Sequence, residues 1–88
     1  MAWTIEYNSR AKKQLAGLDR IVQDTITRYM DERIAVLDNP RMLGKPLTGE
    51  LKGYWRYRVG DYRVLAELHD KSITVLVVRV GHRREVYQ

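Results

Sequence analysis

The sequence predicts one α+β domain over residues 1–88, with two N-terminal helices packed on one face of an antiparallel sheet. Its 88 residues suffice for one domain with one modest core. Hydrophobic residues follow strand and then helix periodicity in residues 3–37, and strand periodicity in residues 54–80. The resulting order of one strand, two helices and three strands is typical of domains whose helices lie on one side of a sheet.

The chain begins with a short strand and a short helix. Residues 3–7, WTIEY, alternate apolar and polar side chains, which is typical of a half-buried strand. Asn8 or Ser9 is suited to cap the helix that follows, because a short polar side chain can accept a hydrogen bond from the first turn. This helix is expected to end near Gly17.

A second helix is expected from Arg20 to about Leu37, with Asp19 as its cap. Asn39-Pro40 ends the helix, because the residue before a proline avoids the helical conformation. Apolar residues recur every three or four positions along the segment, at Val22, Ile26, Tyr29, Met30, Ile34 and Leu37.

A loop and three strands make up the remainder of the chain. Residues 39–53 contain three glycines and two prolines, which predicts the main loop, with room for a short extended piece. Gly60-Asp61 and the HDK segment at 69–71 are turn signals. They divide the last part of the chain into a meander of three strands, at about residues 54–59, 62–68 and 72–80.

Alternation along these strands predicts which side chains face the helices. Trp55 and Tyr57 are expected to face the core rather than to stack on bases. Arg56, Arg58 and Arg63 then share the open face of the sheet. The last strand is apolar on both sides, which is typical of a central strand. In the middle strand one side carries the apolar set, which comprises Tyr62, Val64, Ala66 and Leu68.

The net charge of +5 is concentrated in the C-terminal half. Residues 1–38 are nearly balanced, whereas residues 51–63 and 79–88 carry most of the excess. This distribution favours an anionic partner, and nucleic acid first. A solvated basic surface is the alternative. The cations of the two segments are Lys52, Arg56, Arg58, Arg63, Arg79, Arg83 and Arg84, against the acids Asp61 and Glu85.

The segment GHRREVY, residues 81–87, follows the most apolar strand and can bring His82, Arg83, Arg84 and Tyr87 to the open-face arginines. RNA carries its own nucleophile, the 2′-OH, and its cleavage needs a base, an acid and cations for the charged transition state. Arginines supply the cations, and Tyr87 or His82 could transfer a proton. The competing interpretations are a solvated, salt-bridged tail, a His82 at the rim and a Tyr87 packed as an apolar residue.

Several classes of chemistry lack the residues that they need. The chain has no cysteine, which excludes disulfides and thiolate metal sites. No Asp, Glu or His cluster has the spacing of metal ligands, no glycine-rich phosphate loop is present, and no Ser–His–Asp set stands out. The longest apolar run, Ile73–Val78, is too short to span a bilayer, and the N-terminus lacks a signal peptide. We therefore expect a cytoplasmic protein with no cofactor, no metal and no membrane partner.

Two segments, KPLTGELKGYWRYRVGDYRVL and VGHRREVY, resemble the RelE/ParE superfamily of toxin–antitoxin toxins, and RelE-type members in particular. The resemblance spans nearly the whole chain and implies a curved sheet. It implies an mRNA interferase of a type II toxin–antitoxin system, a metal-independent endoribonuclease that cuts mRNA in the ribosomal A site and inhibits translation. It also implies a cognate antitoxin, through which the complex could bind operator DNA.

The resemblance further implies roles for individual residues. Tyr87 would act as the base toward the 2′-OH, and Arg83 as the acid toward the leaving oxygen. Arg63 would stabilise the transition state. Arg56 and Arg58 would contact the phosphate. From their place in the two basic segments, Lys52, Arg84 and His82 are also expected to contact RNA.

Two departures from RelE bear on this scheme. RelE itself has lysines where this chain has Arg56 and Arg58, and arginine holds its proton too firmly to double as a base. Only Gln88 follows Tyr87 in this chain. Tyr87 is therefore expected to be frayed until RNA or the ribosome orders it.

Two other functions remain open on the sequence. A ParE-like toxin would act on DNA gyrase without cutting RNA, but such relatives are expected to lack the catalytic set. A degenerate relative would act mainly in complex, as a regulator of its own operon.

Overall fold

The computed structural model describes residues 2–87 and shows two helices on one face of a five-stranded sheet. The predicted α+β class and the C-terminal meander are confirmed. No helix within residues 2–87 has the length and apolar character needed to cross a membrane. The elements are β1 (Thr4–Tyr7), α1 (Ser9–Ala16), α2 (Arg20–Tyr29), β2 (Lys45–Pro46), β3 (Trp55–Val59), β4 (Tyr62–His69) and β5 (Thr74–His82).

The sheet is mixed, which corrects the expectation that it is wholly antiparallel. Its strand order is β1-β5-β4-β3-β2, and β1 runs parallel to β5 with Thr4 opposite Thr74. Tight turns force β3, β4 and β5 to alternate in direction, because a hairpin joins only antiparallel strands. β1 and β5 are separated by most of the chain, so no turn fixes their relative direction. β5 lies between β1 and β4, as its two apolar sides predict.

Both helices begin close to the predicted residues. The Asn8 side chain caps α1 by accepting a hydrogen bond from the backbone N–H of Ala11 at 2.8 Å. Asp19 precedes α2, but its carboxylate makes no capping hydrogen bond. After α2 the chain makes one π-helical turn, Met30–Ile34, so the helical segment ends before the predicted Leu37.

The main core lies between the helices and the sheet. Tyr57 on β3 is fully buried there, and its hydroxyl donates to the Pro40 carbonyl at 2.8 Å. A Cβ at Gly44 would lie 3.0 Å from the Tyr57 ring, so a side chain there would require the ring to shift. The predicted core faces of β3 and β4 are confirmed. Other fully buried members of this core are Ile26, Met30, Ile34, Val64, Val75 and Val77.

The sequence led us to expect that the face of the sheet opposite the helices is open. In the structure, part of that face is covered. A second apolar cluster covers part of it, where the loop at residues 47–54 and the C-terminal residues fold over β4 and β5. This satellite cluster is separate from the main core. It comprises the buried residues Leu65, Val78 and Val86 with the partly buried Leu47, Leu51, Tyr54 and Leu76.

Replacing tyrosine by phenylalanine is expected to have opposite effects on the free energy of unfolding at Tyr7 and at Tyr57. The Tyr7 hydroxyl is buried with no hydrogen-bond partner among residues 2–87, whereas that of Tyr57 is bonded to Pro40. An unsatisfied buried polar group costs about 1–3 kcal/mol. We therefore expect Tyr7→Phe to keep or raise the free energy of unfolding, and Tyr57→Phe to lower it by about 1–2 kcal/mol. Urea denaturation of both variants measures the two values, and equal losses would contradict this assignment.

The same pair predicts how stability depends on pH. Burial, followed by the charge of Asp31, raises the pKa of Tyr7 to about 12, and burial also raises the pKa of Tyr57. An unfolded tyrosine ionises near pH 10. As the pH rises, the unfolded chain therefore loses these protons before the folded chain does. The contribution of the two tyrosines to the free energy of unfolding is fully present below about pH 10 and decreases above it. Tyr7→Phe should make this alkaline decline shallower in melts between about pH 10 and 12.

Candidate active site

The register of β3, β4 and β5 brings the predicted arginines to one face of the sheet. Arg58 on β3 lies directly opposite Arg63 on β4, and Arg63 lies opposite Gly81 on β5. Arg56 lies opposite Leu65, one alternation further along the same face. Residues directly opposite each other in an antiparallel pair point to the same side. The predicted shared face of Arg56, Arg58 and Arg63 is therefore confirmed.

Arg63 is buried within this face rather than exposed on it. Its side chain is only 7% exposed. The guanidinium Nη1 donates to the Gly60 carbonyl at 3.0 Å and to the Tyr62 carbonyl at 2.9 Å. A buried charge is tolerated when hydrogen bonds replace its hydration. Arg63 therefore fastens the β3–β4 turn, a structural role that alternation along a strand cannot reveal.

Three further arginines and a tyrosine lie near enough to this buried guanidinium to interact with its charge. Burial lowers the pKa of Arg63, and the charges of Arg58 and Arg56 lower it further. Tyr87 acts in the opposite direction, and Arg83 again lowers the pKa. The structure thus brings together five of the eight predicted site residues. We call Arg56, Arg58, Arg63 and Arg83 the arginine cluster.

The arginine cluster is suited to bind an anion. Like charges directly opposite one another on a sheet repel, and a bound anion would relieve that repulsion. The Nε of Arg56 is buried and makes no hydrogen bond within residues 2–87. Arg58 is exposed on the same face. Guanidinium groups present planar forks of donors that match phosphate oxygens.

The C-terminal segment folds back as a series of turns that reaches Tyr87. The backbone N–H of Arg83 donates to the Asp61 carbonyl at 2.8 Å. The N–H groups of Glu85 and Val86 donate to the His82 carbonyl at 2.8 and 3.0 Å. These bonds, with the burial of Val86, order the chain up to Tyr87, whose side chain is 42% exposed.

Three predicted residues lie apart from the arginine cluster. His82 pairs with Tyr62, and their rings make an edge contact with centroids 5.8 Å apart. Because Tyr62 packs against the main core, this pairing places His82 on the helix side of the sheet. Its Nδ1 accepts from the backbone N–H of Arg84 at 3.3 Å. Arg84 and Lys52 are exposed in turns, and neither is among the charges that act on Arg63.

Two cations that the sequence did not assign to the site share its face. Lys45 on β2 lies opposite Arg56, and Arg79 on β5 lies opposite Leu65. Strict alternation would have placed Arg79 with Val77 in the core. A shift of register at Val78 inserts one extra residue and turns Arg79 to the other face. A bulge and a two-residue strand leave little signal in a sequence.

The chemistry available at this face is that of cations and a phenol. Within residues 2–87 no group of three or more His, Asp or Glu side chains is placed to hold a metal ion. The arginine cluster can bind phosphate and stabilise negative charge that develops on it. Tyr87 places a phenol hydroxyl, which can donate or accept a hydrogen bond, near enough to Arg63 for the two groups to interact electrostatically.

Known proteins match nearly the whole chain. The family model described as the ParE toxin of a type II toxin–antitoxin system, parDE, matches residues 5–87. The toxin RelG of Mycobacterium tuberculosis is 30% identical over 88 residues, which cover 100% of this chain and 99% of the relative. The mRNA interferase toxin RelE of Escherichia coli is 30% identical over 90 residues, which cover 99% of this chain and 92% of the relative.

Solved structures agree with these matches. The toxin–antitoxin complex RelBE2 from Mycobacterium tuberculosis contains a chain that superposes with a TM-score of 0.86 at 28% identity. The superposition covers 97% of this chain and 95% of that one. The isolated Escherichia coli RelE toxin shares the fold, with a TM-score of 0.70 at 19% identity over 92% of this chain and 84% of that one. With its strands, its helices and its whole length matched in this way, the chain belongs to the RelE/ParE superfamily of type II toxin–antitoxin toxins.

Proposed function

We propose that this protein is a ribosome-dependent endoribonuclease that cleaves mRNA in the A site and so inhibits translation. The observation that supports the proposal is the shared face of Arg56, Arg58 and Arg63, together with the charge interactions of Arg83 and Tyr87 with the buried Arg63. A relative that matches over nearly its whole length is named an mRNA interferase. Four cations beside one phenol suit attack on a phosphodiester and provide none of the groups that acyl transfer requires.

In the proposed reaction the 2′-OH of the substrate attacks the adjacent phosphorus and expels the 5′ oxygen. Tyr87 takes the proton of the 2′-OH in its phenolate form and becomes the neutral phenol, and Arg83 gives a proton to the leaving 5′ oxygen. Arg56 and Arg58 bind the phosphate through their guanidinium groups. The charge of the transition state is stabilised by these arginines, so the reaction requires no metal ion.

Arg63 acts from a fixed position in this scheme. Its Nη1 is committed to the carbonyls of Gly60 and Tyr62. Its remaining N–H donors are available to the phosphate. A guanidinium held by two backbone carbonyls does not reorganise during the reaction, which is the condition under which electrostatic stabilisation is most effective.

Dependence on the ribosome follows from the weakness of the acid and base. Arginine stays protonated at neutral pH, and an unperturbed tyrosine is mostly neutral there. Such a site depends on alignment of the reacting groups, which can contribute about 7–11 kcal/mol. The ribosome can supply it by holding the message in line for attack. Lys12, Lys13 and Arg20 are exposed at α1 and α2 and are placed to contact ribosomal RNA away from the arginine cluster.

A cognate antitoxin is the second proposed partner. The solved relatives include a RelBE2 complex and a RelB-bound archaeal RelE. We propose that a segment rich in acidic and apolar residues covers the arginine cluster and the C-terminal turns, and folds as it binds. Operator DNA would be bound by the antitoxin rather than by this chain. A complex that leaves the cluster and residues 81–87 open would contradict this mode of inhibition.

Substitutions at the site should lower cleavage by about a hundredfold or more, the cost typical of losing one charge-stabilising contact. We expect this for Arg83→Ala and Tyr87→Phe with little change in melting temperature, because both side chains are exposed. Arg63→Ala should also destabilise the fold, since two carbonyls lose their donor. Primer extension on programmed ribosomes measures cleavage. Arg28→Ala, an exposed charge on α2, is the matched control and should retain activity.

Free and ribosome-bound mRNA should differ strongly as substrates. One message is offered at equal protein concentration, either free or in the A site of a stalled ribosome. We expect rapid cleavage only on the ribosome, with binding that weakens steeply as salt rises. Equal rates on both would indicate a stand-alone ribonuclease. No cleavage of either, together with trapped DNA gyrase on supercoiled plasmid, would establish the ParE-like alternative.

A further inference from the structure

Val86 is the most buried residue of the C-terminal segment, although the proposed chemistry does not use it. Its side chain is 3% exposed and packs with Leu65 and Val78 in the satellite cluster. Its neighbour Tyr87 is 42% exposed. Of the last two described residues, Val86 is therefore buried and Tyr87 is exposed to solvent.

We propose that Val86 and Arg79 are positioning residues that hold the phenol of Tyr87 at the arginine cluster. This inference rests on the proposed function, because it assigns Tyr87 as the base. It adds a pair of residues that contact neither the RNA nor the reacting atoms. Their part is to fix the backbone from which Tyr87 extends.

The space that the Val86 side chain fills in the satellite cluster, which we call its seat, lies beside Arg63. Gly81 is the cross-strand partner of Arg63. A Cβ added to Gly81 would lie 3.5 Å from the Cα of Val86 and 3.6 Å from its Cβ. Val86 therefore fills the space above β5 that a side chain at position 81 would point toward. The residue that follows Val86 must leave this seat close to Arg63, which agrees with the charge interaction between Arg63 and Tyr87.

Arg79 holds the other end of the same residue. Its Nη1 donates to the Val86 carbonyl at 3.4 Å. That carbonyl belongs to the peptide group that joins Val86 to Tyr87, and a peptide group is planar. An anchored side chain and a held carbonyl together limit the directions in which Tyr87 can extend. Arg79 reaches this carbonyl because the bulge at Val78 turns it to the open face.

Positioning of this kind is needed because Tyr87 lies in the turns that follow β5 and belongs to no helix or strand. A displacement of about 1 Å at a reacting group can cost a hundredfold in rate. The seat also lies in the satellite cluster rather than the main core. Loosening it should therefore reduce catalysis more than it reduces stability.

The test is a double-mutant cycle on ribosome-bound mRNA, with single-turnover rates measured at saturating protein. The variants are Val86→Ala, Tyr87→Phe, the double variant and the conservative Val86→Ile. Val22→Ala is the matched control, because it removes the same atoms from a residue packed against the main core. Arg79→Met and Arg79→Lys test the carbonyl contact in the same way.

We expect Val86→Ala to slow the single-turnover rate by about 10- to 100-fold with less than about a threefold change in the half-saturating concentration. Val86→Ile and Val22→Ala should stay within about threefold of the unaltered protein. In the Tyr87→Phe background, Val86→Ala should cost almost nothing more, since residues that act as one unit are not additive. A double variant slower by the product of the two single effects would overturn the proposal.

Hydrogen exchange separates this inference from the proposed function. The amides of Glu85 and Val86 are bonded to the His82 carbonyl and should be protected in the unaltered protein. Val86→Ala should expose both amides while β4 and β5 stay protected. If the unaltered protein cleaves no mRNA, the nuclease proposal fails whatever the exchange shows. If these two amides exchange freely in the unaltered protein, the seat does not exist and the positioning proposal fails.

Discussion

The burial of one guanidinium is the constraint around which this molecule is arranged. Arg63 is buried and lies opposite another arginine, and both features oppose its positive charge. Two carbonyls of the β3–β4 turn offset this cost by accepting its hydrogen bonds. The third carbonyl of that turn, Asp61, accepts from the backbone of Arg83. One tight turn thus connects the centre of the cationic face to the C-terminal segment, and the positions of both depend on its conformation.

The two faces of the sheet divide the work of stability and chemistry. The helices bury the aromatic and aliphatic side chains of β3 and β4 in the main core, and Tyr57 is the largest that is fully buried. The other face carries the cations and a small cluster of apolar residues that holds the loop and the C-terminal turns. This division lets cations concentrate on one face without placing them against the helices. It is also consistent with a family whose members are described as toxins with protein antitoxins.

Sequence periodicity predicted the parts of the site that obey strict alternation. Arg56 and Arg58 share a face because they are two positions apart on β3. Arg63 shares it because it lies opposite Arg58 on β4. His82 is one position beyond Gly81 and so falls on the other side. Arg79 was missed because a bulge interrupts the alternation, and a bulge depends on tertiary context. The burial of Val86 beside an exposed Tyr87 depends on the satellite cluster, which no local sequence pattern predicts.

The parallel pairing of β1 with β5 has a consequence for how the molecule loses its structure. Every member of the arginine cluster lies in the meander formed by β3, β4 and β5 and the turns that follow. The charges in that meander repel one another, and the packing of α1, α2 and β1 on its neighbours offsets the repulsion. Local opening of β1 would expose one edge of β5 and loosen the strand that bears Gly81. We therefore expect the members of the arginine cluster to move apart in partial unfolding events that occur before global unfolding.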